Sequence, residues 1–183
     1  MRLSELAKGY KVLNFKDVEI RDIAYDSRKV KEGDLFCALK GRRADGHRFI
    51  PEALERGAAA LLVAEPQPYN VPQIVAEDTR GAMAELARRL FGDPTQELKL
   101  IGITGTNGKT TTAFIVRSLL RYLGQEAALV STVEHSAGKF SERALRTTPE
   151  APDLQRLFKR ALDPGDLVGG HGSHVNRRSR APN

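Results

Sequence analysis

The chain has 183 residues, of which 40% are hydrophobic and 28% charged, and its formal net charge is +6 at pH 7. These values are typical of a globular protein and allow one large or two small α/β domains. Aromatic residues make up only 6% of the chain, and much of the positive charge lies in the terminal segment NRRSRAPN. Composition therefore argues against a nucleic-acid partner and allows a local basic site for a small anionic metabolite.

The chain has a single cysteine, Cys37, which cannot form an internal disulfide. This is typical of proteins in a reducing cytoplasm. The N-terminal segment lacks the apolar core of a signal peptide, and no apolar stretch is long enough to span a bilayer. We therefore expect a soluble cytoplasmic protein with no membrane partner, while the oligomeric state stays open.

The first part of the chain reads as alternating short strands and helices. Residues 18–30 alternate as a strand does, and residues 34–41 form an apolar strand that ends at a glycine. Residues 47–58 then have the period of a helix, which we expect to end at Gly57. The apolar face of this helix consists of Phe49, Ile50, Ala53 and Leu54.

Two short apolar strands, AALLVAE and PQIVAED, come next. They precede an amphipathic helix at residues 79–91, for which Asp78 or Thr79 is the expected N-cap. Together with the preceding elements, this order is typical of an α/β fold.

A domain boundary is predicted at GDPTQE, residues 92–97, where glycine, proline and polar residues end the helical pattern. We predict a first domain at residues 1–94 and a second at residues 95–183.

The second domain begins with a strand, a glycine loop and a helix. LKLIGITG predicts a buried strand, residues 109–124 a helix that ends at glycine, and EAALVST a further strand. This order forms a βαβ unit, so we expect a parallel sheet. A helix follows at residues 151–162, with its apolar face formed by Leu154, Leu157, Phe158 and Ala161.

The glycine loop at the start of that helix has the features of a nucleotide phosphate site. Unpaired backbone N–H groups at a helix start bind anions, and Gly105 and Gly108 let the backbone approach phosphate oxygens. Lys109 can reach the β- and γ-phosphates, and Thr110 can hold Mg²⁺ through its hydroxyl. Ile103 stands where the P-loop pattern has its first glycine. The candidate ATP residues are Gly105, Thr106, Asn107, Gly108, Lys109, Thr110 and Thr111, with Lys109 and Thr110 as catalytic residues and Thr110 as metal ligand.

Three motifs carry a resemblance to a known family. GTNGKTTT resembles the ATP loop of the Mur ligases, which build the peptide of bacterial peptidoglycan, although folylpolyglutamate synthetases have a similar loop. Residues 26–63 resemble the N-terminal uridine-nucleotide domain of Mur ligases, which the folate enzymes lack. TTPEAPDLQ resembles a segment typical of the Mur ligases that add the third amino acid. The resemblance implies a small UDP-sugar domain followed by an incomplete ATP domain of the P-loop type with a parallel sheet.

The resemblance also implies a substrate site. Its UDP-sugar residues would be Tyr25, Ser27, Arg42, Arg43 and Ala44, and guanidinium and hydroxyl donors suit a diphosphate. Thr147 and Thr148 would contact the acidic peptide end of the acceptor or the γ-phosphate. On the residues alone, Ser27 could lie in a turn, the two arginines could form a solvated pair, and Thr148 could cap a helix.

The implied reaction is ATP-dependent ligation with ADP formation. ATP phosphorylates the terminal carboxylate of UDP-N-acetylmuramoyl-L-alanyl-D-glutamate, and an amino acid attacks the acyl phosphate. The cofactors would be ATP and Mg²⁺, and the partners small molecules only. Two alternatives stay open, a non-catalytic module that binds ATP and UDP-sugar, and the ligase that adds the terminal dipeptide.

Residues 163–183 depart from the family pattern. Mur ligases are expected to continue with an apolar strand, the motif Met-Glu-Val-Ser-Ser-His and a third domain that selects the amino acid. This segment shows no apolar periodicity, and we expect an irregular tail. If Gly170–His174 are encoded GGC CAT GGA AGT CAC, the next reading frame gives Ala-Met-Glu-Val-Thr. We therefore hypothesise a frameshift that truncated a ligase, which sequencing of the gene tests.

Overall fold

The computed structural model describes residues 1–41, 45–137, 140–143 (backbone alone at 142 and 143) and 149–162. The helices are α1 (Leu3–Leu6), α2 (Ile50–Glu55), α3 (Thr79–Leu90), α4 (Lys109–Tyr122) and α5 (Ala151–Leu162). The strands are β1 (Lys11–Leu13), β2 (Ile23–Ala24), β3 (Leu35–Cys37), β4 (Ala60–Val63), β5 (Gln73–Val75), β6 (Leu129–Val130), β7 (Glu134–Ala137) and β8 (Phe140–Arg143).

The N-terminal part folds around a five-stranded sheet in the order β1-β5-β4-β3-β2. Strands β2 to β5 are parallel and β1 is antiparallel, with Leu35 opposite Ala60 and Leu62 opposite Ile74. All three residues of β3 and all four of β4 are buried, as the continuous apolar runs of a sheet covered on both faces require.

Each face of this sheet has its own apolar cluster. One cluster joins alternate strand residues to α1 and α3 and includes Leu3, Ile23, Leu62 and Leu86. The other joins the remaining strand residues to α2 and includes Phe36 and Ile50. Cys37 lies in the first cluster and is fully buried, so burial raises the pKa of its thiol. Helices therefore cover both faces, which confirms the predicted α/β class for this part.

Helix α3 begins and ends as its sequence predicts. The Asp78 side chain accepts hydrogen bonds from the backbone N–H groups of Arg80 and Gly81, which caps the helix. The apolar side faces the sheet, since Ala82, Met83, Leu86 and Ala87 are buried. The helix ends just before Gly92, whose φ is 78°.

Two predicted elements are shorter than their patterns. The helix expected at residues 47–58 spans only Ile50–Glu55, because a 3₁₀ turn, Gly46–Phe49, precedes it. Phe49, which we placed on the apolar face, is 37% exposed. The strand expected at residues 18–30 is reduced to β2, because Asp26 caps a second 3₁₀ turn, Ser27–Lys29, by accepting from Arg28 N–H. Local side-chain to backbone hydrogen bonds thus end the strand early.

The strand predicted at residues 98–105 is not formed. These residues pair with no described strand, and Leu100 and Ile101 are 56% and 62% exposed. A strand forms only when a neighbour takes up its N–H and C=O groups, which an apolar run alone does not guarantee. The sheet described in this part is instead antiparallel, in the order β6-β7-β8, and not the parallel sheet that the βαβ pattern indicates.

The two later helices differ in their surroundings. Helix α4 ends before Gly124, as predicted, but has no buried residue. Helix α5 packs against α3 of the N-terminal part and buries Pro152 and Leu157. His135 is buried in β7. In the part of the chain described, no helix is long and apolar enough to cross a bilayer.

Candidate functional site

The glycine loop joins residues 98–104 to α4 and is exposed to solvent. Gly105 and Gly108 have φ values of 144° and 79°, which a side chain disfavours. Apart from Gly108 itself, its chain neighbours and its own helix backbone, no heavy atom of the residues that the structure describes lies within 4 Å of the position that a Cβ on Gly108 would take. The backbone at Gly108 is therefore accessible to a ligand. Of the other predicted loop residues, Thr106, Asn107 and Thr111 are exposed.

The first turn of α4 presents backbone donors to this open side. Thr112 N–H donates to Gly108 C=O at 2.9 Å, so the amides of Lys109, Thr110 and Thr111 precede the helical ladder. Among the described residues, no side chain caps the helix. Free N–H groups and the positive end of the helix dipole together favour a phosphate at this position.

The Lys109 ammonium lies against the same loop. Its Nζ donates to the backbone oxygens of Gly105 at 2.6 Å and Thr106 at 3.2 Å. An ammonium has three donors, so a phosphate held by the helix amides would compete with these carbonyls for Lys109.

Thr110 offers one oxygen for a magnesium ion. Its Oγ1 lies 3.2 Å from Thr132 Oγ1, which places two hydroxyls side by side at the loop. Mg²⁺ is usually held by one or two carboxylates together with phosphate oxygens and water. Within the described ranges, no group of three or more His, Cys, Asp or Glu side chains could hold a metal. The residues present thus suit a magnesium ion that arrives with ATP phosphates and takes Thr110 as one ligand.

Ser27 and Tyr25 follow the carboxyl end of β2, far from the glycine loop in sequence. Ser27 is buried, and its Oγ donates to Glu52 Oε2 at 2.6 Å. Tyr25 is partly buried, and its hydroxyl donates to the Asp153 carboxylate. Asp26 between them is paired with Arg28, and the hydrogen bond from Arg28 lowers the pKa of Asp26.

The other predicted substrate residues, Arg42, Arg43, Ala44, Thr147 and Thr148, lie outside the described residues. Asp45, the residue directly after Ala44, is fixed in position by hydrogen bonds with His47. Its carboxylate accepts from His47 N–H at 3.0 Å and from the His47 ring at 2.6 Å. His47 Nε2 in turn accepts from Ala64 N–H at 3.1 Å, so the ring proton lies on Nδ1.

A cleft of about 470 Å³ adjoins Tyr25. It lies between the β2 end and α5, and its walls include Asp22, Tyr25, Asp34 and Arg156. Burial raises the pKa of Asp34. The cleft therefore has mixed charge and is shared by two parts of the chain that are far apart in sequence.

Sequence patterns did not predict the α5 side of this cleft. Asp153 and Arg156 read as ordinary polar positions of an amphipathic helix. Their partners, Asp22 and Tyr25, are more than 120 residues away in the chain. No local spacing indicates such a contact, although Asp153 lies within the motif TTPEAPDLQ that carries the family resemblance and Arg156 directly follows it.

Two family matches cover most of the chain. Residues 19–90 match the "Mur ligase family, catalytic domain" and residues 103–168 match the "Mur ligase middle domain". The chain belongs to the Mur ligase family. This confirms the resemblance that the sequence motifs indicate.

Curated Mur ligases are 42% and 45% identical to the chain over the aligned residues. The UDP-N-acetylmuramoyl-L-alanyl-D-glutamate--2,6-diaminopimelate ligase of Clostridium perfringens is 42% identical over 170 residues, which cover 90% of the chain and 35% of the relative. The same ligase of Geobacillus kaustophilus is 45% identical over 174 residues, covering 92% and 36%. The chain thus spans about a third of the length of these Mur ligases.

Solved Mur ligases resemble the chain in fold. A UDP-N-acetylmuramoyl-L-alanyl-D-glutamate--2,6-diaminopimelate ligase superposes with a TM-score of 0.63 at 27% identity, over 80% of the chain and 30% of that structure. MurF from Acinetobacter baumannii gives 0.60 at 26% identity, over 86% and 31%. MurF ligase from Thermotoga maritima in complex with ADP gives 0.53 at 29% identity, over 79% and 30%. The α/β class is that of the Mur ligases.

Proposed function

We propose that this chain carries the ATP and UDP-sugar sites of a ligase that adds the third amino acid to UDP-N-acetylmuramoyl-L-alanyl-D-glutamate. ATP phosphorylates the terminal carboxylate, an amino acid attacks the acyl phosphate, and ADP and phosphate leave. The names of the relatives at 42% and 45% identity support this acceptor. The observation that carries the proposal is the open glycine loop with Lys109 against it.

At the ATP site, different residues of the chain would bind the phosphates and the metal ion. The amides of residues 105–111 hold the β- and γ-phosphates, and the Lys109 ammonium exchanges its two carbonyl partners for phosphate oxygens. The Thr110 hydroxyl would be one ligand of the magnesium ion. Mg²⁺, when bound with ATP, neutralises phosphate charge during transfer. The loop and the Lys109 ammonium already lie together, so binding would require mainly that Lys109 exchange its two carbonyl partners.

The nucleotide sugar would lie at the other end of the site. We place it at Tyr25 and Ser27, with Arg42, Arg43 and Ala44 near the diphosphate and Thr147 and Thr148 near the peptide. Because Ser27 donates its hydroxyl proton to Glu52, its oxygen could act toward a ligand only as an acceptor while that hydrogen bond is kept. The proposal also includes a division of the chain into two domains, residues 1–94 and 95–183, and a cytoplasmic location.

Calorimetric titration of the full chain with Mg·ATP and with UDP-N-acetylmuramoyl-L-alanyl-D-glutamate tests the two sites separately. Lys109→Ala should weaken ATP binding by tenfold or more, since a charge-assisted hydrogen bond contributes about 1.5–3 kcal/mol. The same substitution should leave the UDP-sugar affinity unchanged, and Ser27→Ala should show the reverse pattern. Lys99→Ala, which removes an exposed lysine outside the loop, is the matched control. Equal ATP affinity in wild type and Lys109→Ala would contradict the proposal.

A second acceptor is supported by the MurF structures, whose likeness covers up to 86% of the chain. A ligase of that type would take the tripeptide form of the UDP-sugar. Titration with UDP-sugars that carry a dipeptide and a tripeptide decides between them, because the proposal requires tighter binding of the dipeptide. Release of phosphate from ATP in the presence of the dipeptide and an amino acid separates a ligase from a binding module.

A further inference from the structure

The turn between β6 and β7, residues 131–133, lies beside the start of α4. Thr132 is the middle residue of this turn, and its Oγ1 lies 3.2 Å from Thr110 Oγ1. Threonine hydroxyls in helices often bond to the backbone of their own helix, whereas this partner of Thr110 comes from another element of the fold. The contact is exposed, so a ligand at the glycine loop can reach it.

Hydrogen bonds around Ser131 fix the backbone of this turn. Ser131 Oγ accepts from the N–H groups of Val133 at 3.2 Å and Glu134 at 3.0 Å. Its hydroxyl donates to Glu134 C=O at 2.9 Å, and its N–H donates to the same oxygen at 3.0 Å. These bonds enclose Thr132 on both sides. The position of Thr132 is therefore set by the turn before any ligand binds.

An ion pair ties the same turn to α4, about two helical turns after Thr110. Arg117 Nη1 lies 3.2 Å from Glu134 Oε1, and that oxygen also accepts from Ser141 Oγ at 3.1 Å. The side chains of Arg117 and Glu134 are only 14% and 28% exposed, so water screens this pair less than it screens most surface pairs. The turn and the helix are thus held together at two levels, and the contact between the two hydroxyls is one of them.

A hydroxyl group that ligates a cation uses a lone pair, so its proton has to be donated to another acceptor. Coordination also polarises the O–H bond, which makes this hydrogen bond stronger than one between two neutral hydroxyls. Partners of this kind orient the groups that ligate metals in proteins. Thr132 Oγ1 lies where it can accept the proton of Thr110.

We propose that Thr132 is a positioning residue that accepts the Thr110 hydroxyl proton and so directs a lone pair of Thr110 toward the magnesium ion of Mg·ATP. The inference rests on the proposed function, in which Thr110 is a ligand of that ion. Thr132 acts through Thr110 and not on the phosphates. Its loss should therefore reduce the contribution of Mg²⁺ to ATP binding and leave metal-free binding of ATP intact.

The test measures ATP affinity of the full chain by calorimetry, once with excess Mg²⁺ and once with EDTA. The ratio of the two affinities is the magnesium gain. Thr132→Val removes the hydroxyl and keeps a branched side chain of similar size. We expect it to lower the magnesium gain about fivefold, within the range for loss of one hydrogen bond, and to change the affinity in EDTA less than about twofold.

Thr132→Ser and Thr112→Val are the controls. Thr132→Ser keeps a hydroxyl at the same position and should keep the magnesium gain within about twofold of wild type. Thr112→Val makes the same substitution at an exposed position of α4 outside the candidate ATP residues, and it should leave the gain unchanged. Thermal unfolding of each variant confirms that it folds.

A double-mutant cycle shows whether Thr132 acts through Thr110. Thr110→Val should itself lower the magnesium gain. Adding Thr132→Val to it should lower the gain little further, because the two hydroxyls form one unit. Fully additive losses would overturn the inference.

The remaining outcomes separate this inference from the proposed function. An unchanged magnesium gain in Thr132→Val, or an equal loss in Thr132→Ser, would overturn the inference alone. Equal losses with Mg²⁺ and with EDTA would also overturn it, because Thr132 would then only shape the loop. If wild type binds ATP without a magnesium gain, the inference fails while the phosphate site stands. If wild type binds no ATP, the proposed function fails and the inference with it.

Discussion

At the scale of single residues, side chains of the candidate site have partners before any ligand binds. Lys109 donates to two loop carbonyls, and Ser27 donates to Glu52. The Lys109 contacts cost part of the ligand's binding energy, since they are exchanged on binding, but the contacts of both side chains also limit their conformations. The partners of Lys109 lie within the motif GTNGKTTT itself, whereas Glu52, which orients Ser27, is 25 residues away and belongs to no local pattern.

Gly46 lies beside the segment of predicted UDP-sugar residues and has no room for a side chain. A Cβ there would lie 2.6 Å from the backbone N of Leu39 and 2.7 Å from its O. We expect Gly46→Ala to lower the free energy of unfolding by about 1–3 kcal/mol, because backbone atoms must move. Thermal and urea denaturation measure the loss.

Gly102→Ala is the matched control for this substitution. Beyond its chain neighbours, no heavy atom in the described part of the chain lies within 4 Å of its added Cβ. It should unfold as wild type does, within about 0.5 kcal/mol. Equal stability of the Gly46→Ala variant and this control would contradict the prediction, because the backbone around Leu39 would then move at little cost in free energy.

At the scale of elements, a charged network joins α3 to the start of the chain. Glu85 pairs with Arg88 and Arg89 on its own helix, at 2.7 and 2.9 Å. Arg89 Nη1 also donates to the backbone oxygens of Leu6 and Lys8 at 3.0 and 2.6 Å. Glu85 thus orients a guanidinium that holds the residues at the end of α1.

The network predicts a pH dependence of stability. Hydrogen bonds from Arg88 and then Arg89 lower the pKa of Glu85 to about 2 from its ordinary 4.5. A lowered carboxyl pKa stabilises the fold above pH 4.5, and the contribution disappears as the pH falls from about 4.5 to about 2. Because Glu85 is one third exposed, we expect about 1 kcal/mol or less after screening by solvent.

Urea denaturation at several pH values measures this effect. Glu85→Gln should reduce the fall in unfolding free energy between pH 5 and pH 2. Glu126→Gln removes an exposed carboxylate that forms no ion pair with a described residue, and it should leave the slope unchanged. The same slope in wild type and Glu85→Gln would contradict the assignment.

The sequence predicts the elements whose stability is mostly local. Helices α3, α4 and α5 follow their apolar period, and each begins within one residue of its predicted start. The elements that depend on distant partners are missed. Residues 98–105 have a strand pattern but no neighbour, and the β7–β8 pair forms without a strong alternating pattern. The docking of α5 through Arg156 and Asp22 likewise depends on the fold and not on any spacing.

At the scale of the whole molecule, apolar burial is uneven. Both core clusters lie between residues 3 and 91. In contrast, large apolar side chains are exposed around the glycine loop and α4. They are Leu100, Ile101, Ile115, Leu119, Tyr122 and Leu123. The N-terminal part should therefore supply most of the stability of this chain.

Matched leucine substitutions on two helices test this distribution. Leu86 on α3 is fully buried, whereas Leu119 on α4 is 56% exposed. We expect Leu86→Ala to cost about 2–5 kcal/mol of unfolding free energy, and Leu119→Ala about 0.5 kcal/mol or less. Urea denaturation at low protein concentration measures both. A large loss for Leu119→Ala would show that α4 is covered in solution.

The burial of Cys37 allows opening of the central sheet to be measured by thiol labelling. The only thiol of the sequence lies in β3, between two other strands, and is fully shielded from solvent. A thiol-reactive reagent can label it only after the central sheet opens. The labelling rate therefore reports how often this sheet opens. Any compound that binds the closed N-terminal part slows labelling in proportion to its occupancy. Binding to the UDP-sugar site could therefore be followed by mass spectrometry on unmodified protein, without a dye, a tag or turnover.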